Sequence, residues 1–237
     1  MTAAAIVVAG GQGTRMGARV NKVFMEVDGR SILEHSLALF ESIPLVGQIV
    51  LVARQADLAR CDSLRARFGK LTTVVAGGDQ RHRSEFAGLR SLAARIDAGE
   101  INTVLVHDAV RPFASPALVE RLIAGVAHTV GCIPGLPTGG ATALVADGWI
   151  AGYPSNLWTV QTPQAFQATW LLEAHKKAAR QGFIATDTAS VVEWAGGDVS
   201  VLEGEPDNIK ITTPEDLARA EAIAARRRPP GSFASDG

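Results

Sequence analysis

Ala4-Ala5-Ile6-Val7-Val8-Ala9-Gly10-Gly11-Gln12-Gly13-Thr14-Arg15-Met16-Gly17 is an unbroken apolar run that ends in a glycine-rich, basic turn, with Lys22 shortly after. A run with no polar alternation suits a strand covered on both faces, as in a parallel sheet. Glycines 10, 11 and 13 let the backbone approach a ligand and aim N–H groups at phosphate oxygens, while Arg15 and Lys22 add fixed positive charge. The turn reads as a polyphosphate cradle at the carboxyl end of a strand. It is not a Walker A loop, because no Gly-Lys-[Ser/Thr] follows. Nor is it a dinucleotide fingerprint, because Met16 stands where the third glycine of GxGxxG belongs.

Working outward, further apolar runs at residues 49–53, 72–75, 104–106, 132–136 and 199–202 alternate with helical patterns. Ser31 with Glu34 forms a capping box ahead of one helix, and Pro44 follows that helix. Ser115-Pro116 and Thr213-Pro214-Glu215-Asp216 open two more. Strand then helix, repeated, predicts an α/β doubly wound sheet with ligands at the carboxyl ends of its strands. The second strand ends in Arg54, not in the acidic residue that NAD enzymes place there for the ribose. Residues 137–158 break the rhythm with two short β-like runs around Ala146-Asp147-Gly148, a hairpin turn. An isolated hairpin is marginal in water, so this one packs on its own domain or on a second subunit, and Trp149, Ile150, Tyr153 and Trp158 offer an apolar surface for that.

Composition sets the outer bounds. The chain has 237 residues, 47% hydrophobic and 20% charged, enough to bury one large core. Its formal charge of −1 argues against a broad footprint for nucleic acid or acidic lipid, so an anion must be met locally. Cys61 and Cys132 make no disulfide framework or zinc spacing. No run of eighteen apolar residues occurs, and the N-terminus lacks a basic segment and a cleavage site, so the expected location is cytoplasmic. The expected organisation is a single domain over residues 1–225, with an arm inserted at 137–158 and a flexible tail at 226–237.

Three more clusters carry chemistry. In Gly77-Gly78-Asp79-Gln80-Arg81-His82-Arg83-Ser84, backbone groups and the Ser84 hydroxyl suit a base edge, and the two arginines face either phosphate or solvent. In His107-Asp108-Ala109-Val110-Arg111-Pro112, Asp108 ends a strand, where it suits Mg²⁺ or a ribose hydroxyl, with Arg111 to orient it and His107 packed. In Asp207-Asn208-Ile209-Lys210-Ile211-Thr212-Thr213-Pro214, a lysine in an apolar segment needs a partner or a cleft. A polar Gln161-Thr162-Pro163-Gln164 stretch joins them. The five histidines form no HxH or HExxH, and no GxSxG elbow occurs. Cations and glycines without an acid/base set fit an anionic phosphate attacking a nucleotide's α-phosphate, a nucleophile that needs no general base.

Together these motifs, in order from Ala4 to about Ala224, resemble the CDP-polyol cytidylyltransferase family, chiefly the 2-C-methyl-D-erythritol 4-phosphate enzymes and the related ribitol-5-phosphate enzymes. The resemblance implies a Rossmann-like nucleotidyltransferase fold with a mostly parallel sheet and a protruding β-arm, usually in a homodimer whose arm reaches the neighbour's site. It implies Mg²⁺-dependent transfer of CMP from CTP to a small polyol phosphate, with methylerythritol phosphate the leading acceptor and ribitol 5-phosphate or another sugar-alcohol phosphate or phosphonate the alternatives. A catalytically inactive nucleotide-binding module is the alternative from another class. By position it gives Arg15 and Lys22 the transition state at the α-phosphate, and Lys210 the joint hold on acceptor and phosphates. Ala9, Gly10, Gly11 and Gly13 wrap the triphosphate, while Gly78, Asp79 and Ser84 read the base. Asp108 meets ribose and metal, and Arg111, Thr142, Thr186 and Asp187 border the acceptor. The arm departs from the methylerythritol pattern, since Leu144 and Pro154 stand where basic residues are expected. The Val8-Ala9-Gly10-Gly11 opening also differs from the usual Pro-Ala-Ala-Gly, and several motif spellings lean toward the ribitol-phosphate enzymes.

Overall fold

The computed structural model describes residues 2–11 and 21–228; Gly13, Arg15 and residues 229–237 lie outside the described residues. Among the described residues the strands, in chain order, are β1 (Ala3–Ala9), β2 (Glu26–Val27), β3 (Arg30–Ser31), β4 (Val46–Ala53), β5 (Leu71–Ala76) and β6 (Thr103–Asp108). They continue with β7 (Gly131–Pro137), β8 (Leu144–Ala146), β9 (Trp149–Gly152), β10 (Trp158–Val160), β11 (Gln164–Gln167) and β12 (Val199–Glu203). The helices are α1 (Ile32–Ser42), α2 (Leu58–Ser63), α3 (Arg81–Asp97), α4 (Pro116–Gly125), α5 (Ala168–Gln181), α6 (Thr188–Ala195) and α7 (Pro214–Arg227).

All six strands expected from the apolar runs are present, and the main sheet runs β7-β11-β6-β1-β4-β5 with β12 on the far side of β7. β1 lies between β4 and β6, parallel to both. Its odd positions, Ala3, Ala5, Val7 and Ala9, enter a core shared with α1, α4 and α2. Its even positions Ala4 and Ile6 enter a second core with α3 and α5. Period-two alternation into two apolar layers explains why the sequence shows no polar face. Chain order reverses around β1, so the carboxyl ends of β1 and β6 open the crevice where such sheets bind ligands.

The sheet is not wholly parallel. The chain from Trp158 to Gln167 runs antiparallel to β7, first as β10 opposite Gly135–Pro137 and then as β11 opposite Gly131 and Cys132, and β11 is also antiparallel to β6. The polar Gln161-Thr162-Pro163-Gln164 stretch lies at the join.

Three helix starts follow the expected chemistry. Ser31 and Glu34 form a reciprocal capping box on α1, Ser115 caps α4 with Pro116 in its first turn, and Thr213 with Asp216 boxes α7. The boundary expected at 225/226 falls inside α7: Arg226 and Arg227 pair with Asp207, and Arg228 pairs with Asp28.

The arm, carrying the hairpin β8–β9, lies between the end of β7 and the start of β10. Its turn has positive φ at Asp147 (51°) and Gly148 (83°), the requirement of a two-residue hairpin turn. Thr138 N donates to Leu157 O at 2.8 Å across the base of the arm. Trp149 is 80% exposed, with Leu144, Val145, Ile150 and Tyr153 also exposed beside it.

α3 approaches the sheet closely at Gly88, where an added Cβ would sit 2.7 Å from Ile6 Cγ2 and 3.0 Å from Val52 Cγ2. Gly88→Ala is expected to destabilise by about 1–3 kcal/mol, because overpacking outweighs the gain in helix propensity. Urea denaturation measures it, and a neutral or stabilising change would contradict the packing described.

Candidate active site

The cleft of about 490 Å³ lies at the carboxyl ends of β1 and β6. It is lined by Ala9, Gly10, Gly11 and Lys22 on one wall, by Gly78, Asp79 and Ser84 on another, and by Asp108 and Lys210 across from them. Nine of the residues singled out from sequence therefore meet in one place. Gln80, Arg81, Val110 and Thr212 line it as well.

Lys22 begins a 3₁₀ turn capped by Asn21, whose side-chain oxygen accepts from Val23 N. Asn21 Nδ2 also donates to Ala9 O at 3.3 Å and to Asp57 Oδ2 at 2.9 Å. Arg54 Nε holds the same Asp57 oxygen at 2.6 Å. The basic strand end that spoke against a ribose carboxylate thus anchors the exit of the glycine-rich loop and aims Lys22 at the cleft.

In the second glycine cluster, the first turn of α3 packs onto the loop. A Cβ at Gly77 would lie 2.7 Å from Ser84 Oγ, and one at Gly78 would lie 2.6 Å from Arg83 Cβ. Ser84 Oγ accepts from Gly78 N at 3.1 Å and donates to Gln80 O at 3.1 Å. The two arginines point in different directions, and the partners of both are carboxylates. Arg83 is exposed and pairs with Asp79 at 3.1 Å, while Arg81 turns inward to Asp108 and Glu85.

Asp108 is the electrostatic centre. Arg81 Nε and NH2 each donate to its Oδ1 at 3.1 Å, and Lys210 Nζ lies 2.8 Å from its Oδ2. Burial alone would raise this carboxyl's pKa, but the charges of Arg81 and then Lys210 override it and hold the group well below the usual range. Lys210 reaches Asp108 because its segment is stitched down on both sides. Ile211 N donates to Val110 O at 2.9 Å, Arg111 NH1 to Asn208 O at 2.8 Å, and Asn208 Nδ2 to Thr162 O at 2.9 Å.

Arg111 is therefore buried behind Asp108 and does not line the cleft; it secures the segment that carries Lys210. The other residues assigned to the acceptor also stand apart from the cleft walls. Thr142 sits on the arm. Asp187 caps α6, accepting from Ser190 N at 3.0 Å and from Gln164 Nε2 at 3.2 Å, and Thr186 Oγ1 donates to Ser190 Oγ. Sequence reasoning missed Arg81 as a site residue, although its place at the start of a helix directly after a glycine loop was the available signal.

His107 is packed, as expected. Its ring contacts Thr162 Oγ1 and Arg111 O, both at 3.1 Å, and burial pushes its pKa down to about 4. His175 is pushed down to about 3, also by burial. Both stay neutral in the fold at pH values where an unfolded histidine, with a pKa near 6.5, takes up a proton. The unfolded chain then binds more protons, so stability falls as pH drops from about 6.5 toward 4.5. Glu85, raised to about 7 by burial, acts in the opposite sense over that window, but it is one group against two. Tm is therefore expected to fall between pH 6.5 and 4.5, and a Tm independent of pH there would contradict neutral burial of the two histidines.

Among the described residues, no group of three or more His, Cys, Asp or Glu side chains is placed to cage a metal, and no helix is long and apolar enough to cross a membrane.

With this geometry in place, the comparisons with known proteins are specific. The sequence model of the 2-C-methyl-D-erythritol 4-phosphate cytidylyltransferase family matches residues 3–226. The Bacillus licheniformis protein of that name is 40% identical over 92% of this chain and 94% of its own length. The Geotalea uraniireducens protein of that name is 40% identical over 94% of this chain and 97% of its own. Among solved structures, 4-diphosphocytidyl-2C-methyl-D-erythritol synthase from Anaerococcus prevotii superposes with a TM-score of 0.82 at 29% identity, covering 95% of this chain and 96% of that one.

Proposed function

The chain belongs to the 2-C-methyl-D-erythritol 4-phosphate cytidylyltransferase family and is a CTP-dependent nucleotidyltransferase; from that premise we propose how its residues divide the work. It transfers CMP from CTP to 2-C-methyl-D-erythritol 4-phosphate in isoprenoid biosynthesis. A phosphate oxygen of the acceptor attacks the α-phosphorus, the bond from that phosphorus to the bridging oxygen breaks, and pyrophosphate leaves with the bond's electron pair. The acceptor phosphate is already anionic, so no base is required, and the protein's task is positioning and charge stabilisation.

The observation that carries this division of roles is the convergence of Gly10, Gly11, Lys22, Asp108 and Lys210 on one cleft. The backbone of Ala9, Gly10 and Gly11, with Gly13 outside the described residues, presents N–H groups to the triphosphate. Lys22, together with Arg15, neutralises charge that develops on the α-phosphate. Lys210, already close to Asp108, bridges nucleotide and acceptor phosphates, and the Gly78–Ser84 wall meets the base. Mg²⁺ suits Asp108, because this ion is commonly held by one or two carboxylates with substrate phosphates and water rather than by an all-protein cage. When bound it would spread the charge of the triphosphate. Both Asp108 oxygens are paired here, Oδ1 with Arg81 and Oδ2 with Lys210, so Oδ2 is the oxygen that would hold the ion and Lys210 would have to release it.

Thr142, Thr186 and Asp187 lie outside the cleft walls, and this reading assigns them to the acceptor side of the site. The apolar surface around Trp149 supports docking of the arm on a second copy of the chain, which sedimentation reads as a mass of two chains. This reading keeps the cytoplasmic location expected from the sequence. Ribitol 5-phosphate and an inactive binding module are not favoured, since relatives at 40% identity are named for the methylerythritol reaction.

The test is pyrophosphate release with each of the four nucleoside triphosphates, Mg²⁺ and methylerythritol phosphate. Release with CTP alone, dependent on the acceptor, is expected. Release independent of the acceptor, or none with CTP, would refute the proposal.

A further inference from the structure

Glu85 lies one helical turn beyond Arg81 on α3 and is completely buried. Beyond Glu85 the inner face of this helix is apolar, through Leu89, Leu92 and Ile96. An ionised carboxylate at that depth is costly unless paired, so packing of α3 alone does not call for it. Glu85 Oε1 pairs with Arg81 NH1 and accepts from Thr188 Oγ1 at 3.0 Å, and Arg81 NH1 itself donates to Thr188 Oγ1 at 3.3 Å. The remaining edge of the guanidinium is the one that holds Asp108 Oδ1. A guanidinium is a rigid planar fork, so fixing one edge fixes the other.

The groups facing Glu85 are few: Arg81 from its own helix, His175 of α5 with Nε2 3.6 Å from Oε2, Thr188 and the Asp187 charge from α6, and the Asp108 charge from β6. Glu85 Oε2 and His175 Nε2 have no hydrogen-bond partner. The carboxylate is thus committed to Arg81 and Thr188 and to nothing on the α5 side.

We infer that Glu85 is a positioning residue for the nucleotide half of the site: it holds Arg81 so that Asp108 is fixed by one oxygen and offers the other to Lys210 or to the bound nucleotide. This deepens the reading of the cleft as the site of CMP transfer and rests on it. Burial pushes the Glu85 carboxyl up to about 7 against the pull of Arg81, so the hold weakens where the group becomes protonated.

The test compares the full-length chain with Glu85→Gln, Arg81→Lys and the double variant, reading calorimetric Kd for CTP with Mg²⁺ alongside steady-state kinetics. Glu85→Gln is expected to weaken CTP binding and raise KM for CTP by about tenfold, the loss of one charge-assisted hydrogen bond, with KM for the acceptor within about twofold. Arg81→Lys, which cannot bridge two carboxylates, is expected to lose at least as much. The double variant is expected to be no worse than Arg81→Lys, because both changes break one chain of contacts. In the wild type, kcat/KM for CTP falls as pH drops through about 7, and in Glu85→Gln that step is absent. CTP affinity within about twofold of wild type in Glu85→Gln, or additive losses in the double variant, would overturn the inference. If Glu85→Gln does not fold, Thr188→Val carries the same test, because it removes the hydroxyl that hydrogen-bonds both Glu85 and Arg81. A wild type that binds CTP but makes no product would refute the catalytic reading, while the CTP affinities would still decide the role of Glu85.

Discussion

Lys22→Ala is expected to lower kcat by about 10²–10³, the usual loss when one preorganised electrostatic stabiliser is removed from a transition state. The expectation follows from placement. Asn21 ties the turn that begins with Lys22 to Ala9 O at the end of β1 and, through Asp57, to Arg54, so the ammonium is delivered to the cleft by a fixed backbone. Charge on the α-phosphate grows only as the acceptor oxygen attacks, so the loss belongs in kcat, with KM for the acceptor little changed. Arg15→Ala carries the same expectation. Steady-state rates at saturating CTP and acceptor measure both, and an unchanged kcat in either would remove that residue from the transition state.

Asp108→Asn is the second large effect. The amide keeps the size of the carboxyl but can accept through only one oxygen, and its NH₂ group faces a cation. Arg81 and Lys210 cannot both be held, and the place for Mg²⁺ is lost with them. kcat/KM for CTP is expected to fall by about 10²–10³. Asp108 has a folded pKa below its unfolded value, so its stabilising contribution is present above about pH 4 and is lost as pH falls further toward the folded pKa. The Tm difference between wild type and Asp108→Asn should therefore be fully developed at pH 7 and shrink below about pH 4. A variant with wild-type kcat/KM for CTP would show that Asp108 serves the fold alone.

Much of the fold is legible in the sequence because burial leaves a simple trace. β1, β4 and β6 are covered on both faces, and a strand covered on both faces is a continuous apolar run. Glycine clusters are legible for a related reason: Gly77 and Gly78 are glycines because Ser84 and Arg83 approach them too closely for a Cβ. β11 is not legible. Its four residues, Gln164–Gln167, hold only Ala165 and Phe166 as apolar positions between glutamines, and neither length nor alternation separates that from a loop.

The site shows the same divide. Lys210 stands out because a lysine in an apolar segment needs a reason, and the reason is Asp108 at 2.8 Å. Arg81 and Arg83 are two residues apart in one charged stretch, yet one turns in toward Asp108 and the other out to Asp79. Only the pitch of α3 decides between them. Arg111 does stand beside Asp108 as its motif suggests, but a sequence cannot say whether a residue stands in front of a carboxylate or behind it. Glu85 reads as one more charged residue on an amphipathic helix, and only the helix orientation shows it to be completely buried.

The chain transfers CMP to the methylerythritol acceptor with an arm that has Leu144 and Pro154 in place of the expected basic residues. The most direct measurement is kcat/KM for 2-C-methyl-D-erythritol 4-phosphate against ribitol 5-phosphate, with CTP and Mg²⁺ saturating and the CDP-linked product identified by mass. A clear preference for the methylerythritol acceptor, with one pyrophosphate released per product, is the predicted result. Equal or greater efficiency with ribitol 5-phosphate would contradict it.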